Sequence, residues 1–205
     1  MLPENRPGRI NNGEVFAIFG VNGTGKTVVA KEIADKYDDI KVVHASQELS
    51  ESLGDMSREQ MELLPHEQKL GALSCRLAGI INKCQENGET MLLESHLLVP
   101  IRQGGEKLVR MEDMWNEEMG KRITRAVILV TDPEIILERR RKEFEKSGRI
   151  RDMSLENIRA DQEANTKRFN ELVESGQLPE GSIVISNNAD TTDDVIDEVA
   201  KAFEL

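Results

Sequence analysis

The sequence predicts a three-layer α/β domain in which helices cover both faces of a five-stranded parallel sheet. Five short apolar runs alternate with longer segments of helical periodicity, and this alternation is typical of βαβ units. The runs are almost unbroken in apolar character, as expected for strands that are covered on both faces. The chain has 205 residues, the length of one domain with a small insertion.

Turn or helix residues bound the predicted strands. The first run, EVFAIF, leads directly into a glycine-rich stretch, and the third, TMLLE, follows the turn sequence Asn87-Gly88. After the fourth run, RAVILV, a capping side chain, Asp132, precedes a proline at the first helical position. The strands are expected at 14–19, 41–44, 90–94, 125–130 and 182–186.

Between the strands, apolar residues recur at steps of three and four, which predicts amphipathic helices. Pro65 divides the longest helical stretch in two, because proline lacks the N–H that a helix interior needs. Ser154 can cap a long polar helix, and Val195 and Val199 belong to a closing amphipathic helix. Helices are expected at 26–37, about 57–87, 133–147, about 155–175 and near the C-terminus.

The composition limits what the chain can bind. Charged residues make up 32% of the chain and the formal net charge is -11, so a general grip on nucleic acid or an anionic membrane would oppose the field of the whole protein. We therefore expect neither kind of binding, and any anion site must be local. Cys75 and Cys84 lie nine residues apart in a predicted helix, and we expect both to be buried structural thiols in a reducing compartment.

No run approaches about 18 consecutive apolar residues, and the first residues contain no apolar stretch of the kind found in signal peptides. We therefore expect a cytoplasmic protein with a flexible tail over residues 1–13 and one domain over residues 14–205.

One stretch between a predicted strand and a predicted helix satisfies the pattern G-x-x-x-x-G-K-[ST] of a phosphate-binding loop, or P-loop. Its glycines let successive backbone N–H groups surround phosphate oxygens. Lys26 would meet the β and γ phosphates, and the Thr27 hydroxyl would bind Mg²⁺ in front of the helix N-terminus. The motif predicts ATP and Mg²⁺ binding within a P-loop NTPase fold. It consists of Gly20, Val21, Asn22, Gly23, Thr24, Gly25, Lys26 and Thr27.

A second concentration of charge lies in residues 138–151, which contain seven cationic side chains and three acidic ones. Arginines that swing over a migrating phosphoryl group supply bidentate hydrogen bonds and exclude water. Arg149 and Arg151, beside a glycine, suit this task. The alternative is that the consecutive arginines 139–141 fan around the helix, where some of them only pair with nearby glutamates.

Glu94 ends the third predicted strand, at the carboxyl edge where parallel sheets place ligands. A carboxylate there can act on Mg²⁺ directly or through water. His96 follows two residues later, and it is either a substrate contact or a structural hydrogen bonder. His44 and His66 have no partners in the sequence that suggest a metal site.

Several motifs occur together in one order. They are the P-loop, Ser57-Arg58-Glu59-Gln60-Met61 with Leu63-Leu64-Pro65, Gln68, Glu94-Ser95-His96, Arg139-Arg140 and Arg149-Ile150-Arg151-Asp152. With these motifs, nearly everything after residue 13 resembles the archaeal-type adenylate kinases, a family of nucleoside-monophosphate kinases. The chain departs from the family pattern at Glu94, where aspartate is expected, and over residues 97–105.

The resemblance implies two insertions in the domain, monophosphate-binding helices over residues 46–87 and a lid over residues 139–153. The family includes trimers, so the resemblance also makes a homo-oligomer possible here. The residues implied near the monophosphate are Arg58, Gln68 and His96, those implied for phosphoryl transfer are Lys26, Arg139, Arg140, Arg149 and Arg151, and those for Mg²⁺ are Thr27 and Glu94.

The sequence therefore predicts in-line phosphoryl transfer from ATP to a nucleoside monophosphate, with AMP as the expected acceptor. An acceptor phosphate is already ionised near neutral pH, so positioning and charge neutralisation suffice. Two alternatives stay open. One is a P-loop kinase with a small hydroxyl acceptor, for which Glu94 is the candidate base. The other is an ATP-binding switch protein without kinase activity.

Overall fold

The computed structural model describes residues 13–54, 56, 58–103, 107–149, 151–188 and 193–205, so all of the predicted tail except residue 13 lies outside the described part. The strands are β1 (Val15–Phe19), β2 (Ile40–His44), β3 (Thr90–Glu94), β4 (Leu98–Gln103), β5 (Lys107–Asp113), β6 (Arg125–Val130) and β7 (Ile183–Ser186). The helices are α1 (Lys26–Lys36), α2 (Ala45–Ser52), α3 (Arg58–Leu63), α4 (His66–Asn87), α5 (Glu117–Gly120), α6 (Pro133–Ser147), α7 (Leu155–Glu174) and α8 (Asp193–Ala202).

Five of the strands form one parallel sheet in the order β2-β3-β1-β6-β7. Successive residues of the central strand β1 point to opposite faces of this sheet. Val15, Ala17 and Phe19 pack against α4 and α7, whereas Phe16 and Ile18 pack against α1 and α8. Helices therefore cover both faces, which confirms the predicted three-layer fold.

The ends of α6 and α7 follow the predicted caps. The Asp132 side chain accepts a hydrogen bond from the Glu134 backbone N–H at 3.1 Å, and α6 ends at Gly148 with φ 69°. The Ser154 side chain caps α7 by accepting from the Asn157 backbone N–H at 3.3 Å. The segment that we call the lid, residues 139–153, starts within α6 and ends just before the Ser154 cap of α7.

The structure also contains elements that we did not predict. An antiparallel hairpin, β4 and β5, occupies the region after His96, and the short helix α5 follows it. The expectation for the cysteines was half wrong, because Cys84 is buried but Cys75 is exposed. Leu73 belongs to the buried face of α4. Cys75 is two residues further on, a rotation of about 200° around the helix axis, so it lies on the opposite, exposed face.

None of the described helices combines the length and the apolar character that a bilayer crossing requires.

Candidate functional site

The P-loop joins β1 to α1, and its neighbours demand glycine at two positions. Gly20 has φ 142°, and a Cβ on it would lie 2.6 Å from the carbonyl oxygen of Leu129. Gly25 has φ 90°, and a Cβ on it would collide with the side-chain amide of Asn187. A larger residue at either position would displace the loop from the sheet edge.

Lys26 lies inside the loop. Its Nζ donates a hydrogen bond to the Val21 carbonyl oxygen at 3.1 Å, and only 4% of the residue is exposed. Burial lowers the pKa of Lys26 to about 8, the charge of Glu94 opposes this shift, and the charges of Arg151 and Arg140 add to it. An ammonium that has lost its water in this way is well prepared to gain a phosphate partner.

Three side chains from three elements meet beside the loop. The Thr27 hydroxyl donates a hydrogen bond to Glu94 Oε1 at 2.9 Å, and the other carboxylate oxygen, Oε2, lies 2.7 Å from His44 Nδ1. Thr27 lies in the first turn of α1, Glu94 ends β3 and His44 ends β2. The carboxyl ends of two strands and the start of a helix thus converge at one edge of the sheet.

These groups fit Mg²⁺ and ATP. A hydroxyl and a carboxylate are hard oxygen ligands of the kind that Mg²⁺ takes, together with nucleotide phosphates and water. Within the described residues, no group of three His, Cys, Asp or Glu is arranged to hold a metal ion alone. A site that shares its metal with a nucleotide needs no such group. Thr27 and Glu94 would hold the ion, and the loop amides with Lys26 would hold the phosphates.

His96 is partly exposed near the same edge. Burial and then the positive charge of Lys26 hold its pKa well below the usual value, although a hydrogen bond with the Gly20 backbone opposes the shift. The ring is therefore neutral at pH 7. A neutral imidazole can donate or accept a hydrogen bond, but it adds no positive charge to a phosphate site.

Arg139 and Arg140 both reach the P-loop from α6. Arg139 donates to the carbonyl oxygens of Gly23 at 3.3 Å and Asn187 at 3.2 Å. Arg140 is buried and donates to the Asn22 carbonyl oxygen at 3.1 and 2.8 Å and to the Asp152 carbonyl oxygen at 2.6 Å. Arg140 thereby connects the P-loop to the end of the lid.

Arg149 and Arg151 are paired with a carboxylate of the lid itself. Arg151 Nε lies 2.7 Å and its second terminal nitrogen 3.2 Å from the two oxygens of Glu143, and Arg149 lies 3.5 Å from the same carboxylate. The hydrogen bond from Arg151 and its charge lower the pKa of Glu143, despite the opposing effect of burial. In this arrangement the guanidinium groups that we predict to bind phosphate are paired with Glu143 instead.

The predicted acceptor residues are less fully described. Arg58 begins α3, and its side chain lies outside the described part of the chain. Gln68 lies exposed in the first turn of α4. On the hairpin side, Asn165 of α7 holds the start of β4, since its side chain accepts from the backbone N–H of Leu98 at 3.0 Å and donates to the carbonyl oxygen of Leu98 at 3.1 Å.

Two residues of this edge were not predicted as site residues. His44 is the last residue of β2, and Asn187 directly follows β7 and donates to the Thr24 carbonyl oxygen at 2.7 Å. Both positions follow from the rule that ligands gather at the carboxyl ends of parallel strands.

Comparisons with solved structures agree with this architecture. The chain is similar to a shikimate kinase from Bacteroides thetaiotaomicron, with 14% identity, a TM-score of 0.62 and coverage of 94% of this chain and 99% of that one. A sugar kinase from Janibacter sp. HTCC2649 has 15% identity, a TM-score of 0.55 and coverage of 93% and 94%. A gluconokinase from Sinorhizobium meliloti 1021 has 13% identity, a TM-score of 0.50 and coverage of 95% and 93%.

At the level of sequence, no curated protein matches significantly. The model of one protein family, described as an AAA domain, matches residues 19–159, which include the P-loop, the Glu94 strand end and the lid. The chain therefore belongs to this AAA domain family and has the fold of the P-loop kinases.

Proposed function

We propose that this protein is an ATP-dependent kinase that phosphorylates a hydroxyl group of a small organic molecule. The observation that carries the proposal is the Glu94 carboxylate, which lies between the Thr27 hydroxyl and the His44 ring at the end of the P-loop. An alcohol must lose its proton when its oxygen attacks phosphorus, whereas a phosphate acceptor needs no base. In this proposal the Glu94 carboxylate takes that proton.

In the proposed reaction the acceptor oxygen forms a bond to the γ-phosphorus while the bond from that phosphorus to the β-γ bridging oxygen breaks. ADP leaves, and the hydroxyl proton passes to Glu94. Lys26 and the loop amides hold the phosphates in line, and Arg149 and Arg151 close over the migrating group after they leave Glu143. Bound Mg²⁺ supplies neutralisation of the phosphate charge.

The names of the similar structures support a hydroxyl acceptor, because shikimate and sugars carry hydroxyl groups. Their identity to this chain, 14% and 15%, is too low to transfer a particular substrate. The hairpin after His96 supports the same proposal, since it occupies the stretch in which the sequence departs from the adenylate kinases. We propose that this hairpin borders the acceptor.

A nucleoside-monophosphate kinase is the second candidate. It is favoured by the four arginines Arg139, Arg140, Arg149 and Arg151, since two nucleotides bring more phosphate charge than one. For this candidate Glu94 would serve only the metal ion, and AMP would be the first acceptor to test.

An acceptor screen tests the proposal. Purified protein, ATP and Mg²⁺ would be mixed with panels of polyols, sugars, hydroxy acids and nucleoside monophosphates, while ADP formation is followed. We expect at least one hydroxyl compound to accelerate ADP release about a hundredfold or more over water. Acceleration by monophosphates alone would replace this proposal with the second candidate, and no acceleration by any compound would support a nucleotide switch.

Two variants accompany the screen. Lys26→Ala reveals contaminating kinases, because it removes the phosphate contact and should abolish the signal. Glu94→Gln keeps the shape of the side chain but removes its charge. We expect it to lower kcat/KM for a hydroxyl acceptor by roughly 10²–10⁴-fold.

A further inference from the structure

His44 is a histidine that the sequence did not connect to the site. The register of the parallel pair β2 and β3 places it directly opposite Glu94. Its Nδ1 lies 2.7 Å from Glu94 Oε2, and the two side chains are 35% and 14% exposed. We infer that His44 is a positioning residue, which holds the Glu94 carboxylate in the orientation that serves Mg²⁺ beside the P-loop.

The geometry gives the two carboxylate oxygens different partners. Oε2 contacts the His44 ring, while Oε1 accepts the hydrogen bond from the Thr27 hydroxyl at 2.9 Å. Rotation of the carboxylate about its last torsion angle would break both contacts together. The plane of the carboxylate is therefore set by a group on each side, and Oε1 stays beside the hydroxyl that is predicted to bind the metal ion.

The fold makes His44 itself a rigid support. It is the last residue of β2, with extended backbone angles of φ -96° and ψ 107°, and α2 begins at the next residue. Val43, which precedes it, is buried in the core beneath α4. The ring therefore approaches Glu94 from a strand end that the sheet and a helix both hold in place.

A partner of this kind acts on a metal ion through the ligand that it orients. Loss of such outer contacts typically lowers metal affinity about 10–100-fold. The inference rests on the Mg²⁺ and ATP site of the proposed function, but it requires neither a particular acceptor nor any turnover. A change in metal affinity also distinguishes a positioning role of His44 from a role in fold stability, because a purely structural contact would not alter metal affinity in a folded variant.

The test measures the affinity for Mn²⁺, which replaces Mg²⁺, by electron paramagnetic resonance. The wild-type protein and each variant are first saturated with a non-hydrolysable ATP analogue. We expect His44→Ala to bind Mn²⁺ about 10–100-fold more weakly, with the metal-free affinity for the analogue unchanged within about twofold. His44→Asn keeps a side-chain N–H donor near the position of Nδ1, so we expect it to restore most of the affinity. His66→Ala is the control for loss of a histidine elsewhere.

Wild-type Mn²⁺ affinity in folded His44→Ala would overturn the inference, and so would an equal loss of metal-free nucleotide binding. Circular dichroism reports whether the variant is folded. If the alanine variant unfolds, His44→Leu fills the space of the ring and is held to the same expectation. A failed acceptor screen with an intact Mn²⁺ effect would reject the hydroxyl-kinase proposal and leave this inference standing.

Discussion

At the scale of single residues, Lys26 combines a charge that we propose binds phosphate with an environment that is unfavourable to charge. The ammonium group is almost fully enclosed by the loop, and burial lowers its pKa to about 8 from an ordinary value of 10.5. A difference of this size corresponds to a cost of roughly 3 kcal/mol for holding the charge in the ligand-free protein. The hydrogen bond to Val21 offsets about 1 kcal/mol of that cost.

Lys26→Met should therefore stabilise the ligand-free protein at pH 7 by roughly 2 kcal/mol. Below pH 8 the lysine is charged in both states and the full penalty applies. Between pH 8 and 10.5 the unfolded chain binds more protons than the folded one, so wild-type stability rises with pH and the advantage of the variant shrinks. Urea unfolding at pH 7, 8 and 9.5 checks this. A variant no more stable than wild type at pH 7 would contradict it.

At the scale of elements, a carboxylate of the lid pairs with the two arginines that we propose bind phosphate. Arg149 and Arg151 both contact Glu143, one turn or more before them in the chain, and Arg140 ties the end of the lid to the P-loop. Binding of a phosphate by these two arginines must then compete with a carboxylate that is already in contact with them. The strength of this competition affects the affinity for ATP.

Glu143→Gln should bind ATP several-fold more tightly, because the arginines no longer have to leave an ion pair. Isothermal titration calorimetry with a non-hydrolysable analogue measures the change, which we expect to be about 3–10-fold, or about 1 kcal/mol. Glu145→Gln is the matched control, since it removes the same charge from an exposed position of α6. Equal effects of the two variants would show that general charge, and not the Glu143 contact, is responsible.

A buried ion pair connects the β4–β5 hairpin to α4, in addition to the Asn165 contacts with β4. Lys69 of α4 lies 2.5 Å from Glu112 of β5, with side chains only 7% and 4% exposed, and Arg110 lies 2.7 Å from the second oxygen of Glu112. Burial raises the pKa of Glu112, but the hydrogen bonds from Lys69 and Arg110 outweigh it, so the net pKa lies below the ordinary value. The carboxylate is therefore charged and satisfied.

Lys69→Met should destabilise the protein by about 3 kcal/mol, because it leaves a buried carboxylate with less compensation. The double variant Lys69→Met/Glu112→Leu should recover most of the loss, since an apolar pair of similar volume replaces the ion pair. Urea unfolding of both variants measures the difference. A double variant as unstable as the single one would mean that the hairpin requires the charges themselves.

At the scale of the whole molecule, the chain carries a formal net charge of -11 yet is proposed to bind a highly charged anion. The sheet order resolves this conflict locally, because it brings the P-loop, the ends of β2 and β3 and the arginines of α6 to one edge. The charges of Arg140 and Arg151 reach Lys26 and His96, where they lower both pKa values. One edge of an acidic protein thus becomes cationic.

Binding at that edge should stabilise the whole domain. At an ATP concentration of about 100 times Kd, with Mg²⁺ present, the gain is about 2.7 kcal/mol. For a domain of this size we expect Tm to rise by roughly 5–10 °C. Differential scanning fluorimetry measures the shift, and Lys26→Ala serves as the control without phosphate binding. A wild-type Tm that does not respond to ATP would remove the basis of the P-loop assignment.

Local features of the chain were enough to predict the five-stranded sheet, the capped helices and the P-loop. Strand runs, Asp132-Pro133 and the glycine-rich motif depend on near neighbours, whose backbone preferences act before any tertiary contact. The hairpin was missed because Pro100 interrupts its first strand, and proline lowers the expectation of a strand. The resemblance to adenylate kinases correctly led to the fold of the P-loop kinases, while AMP as the acceptor stays a prediction.

The partners of the site residues required the folded chain. His44 and Glu94 are 50 positions apart, Thr27 and Glu94 are 67 apart, and Arg140 and Asn22 are 118 apart. Such pairs exist because strand order and register bring distant segments together, and residue spacing along the chain contains no record of that order. A short motif can therefore predict a nucleotide site, whereas the orientation of the Glu94 carboxylate depends on which strand lies beside β3.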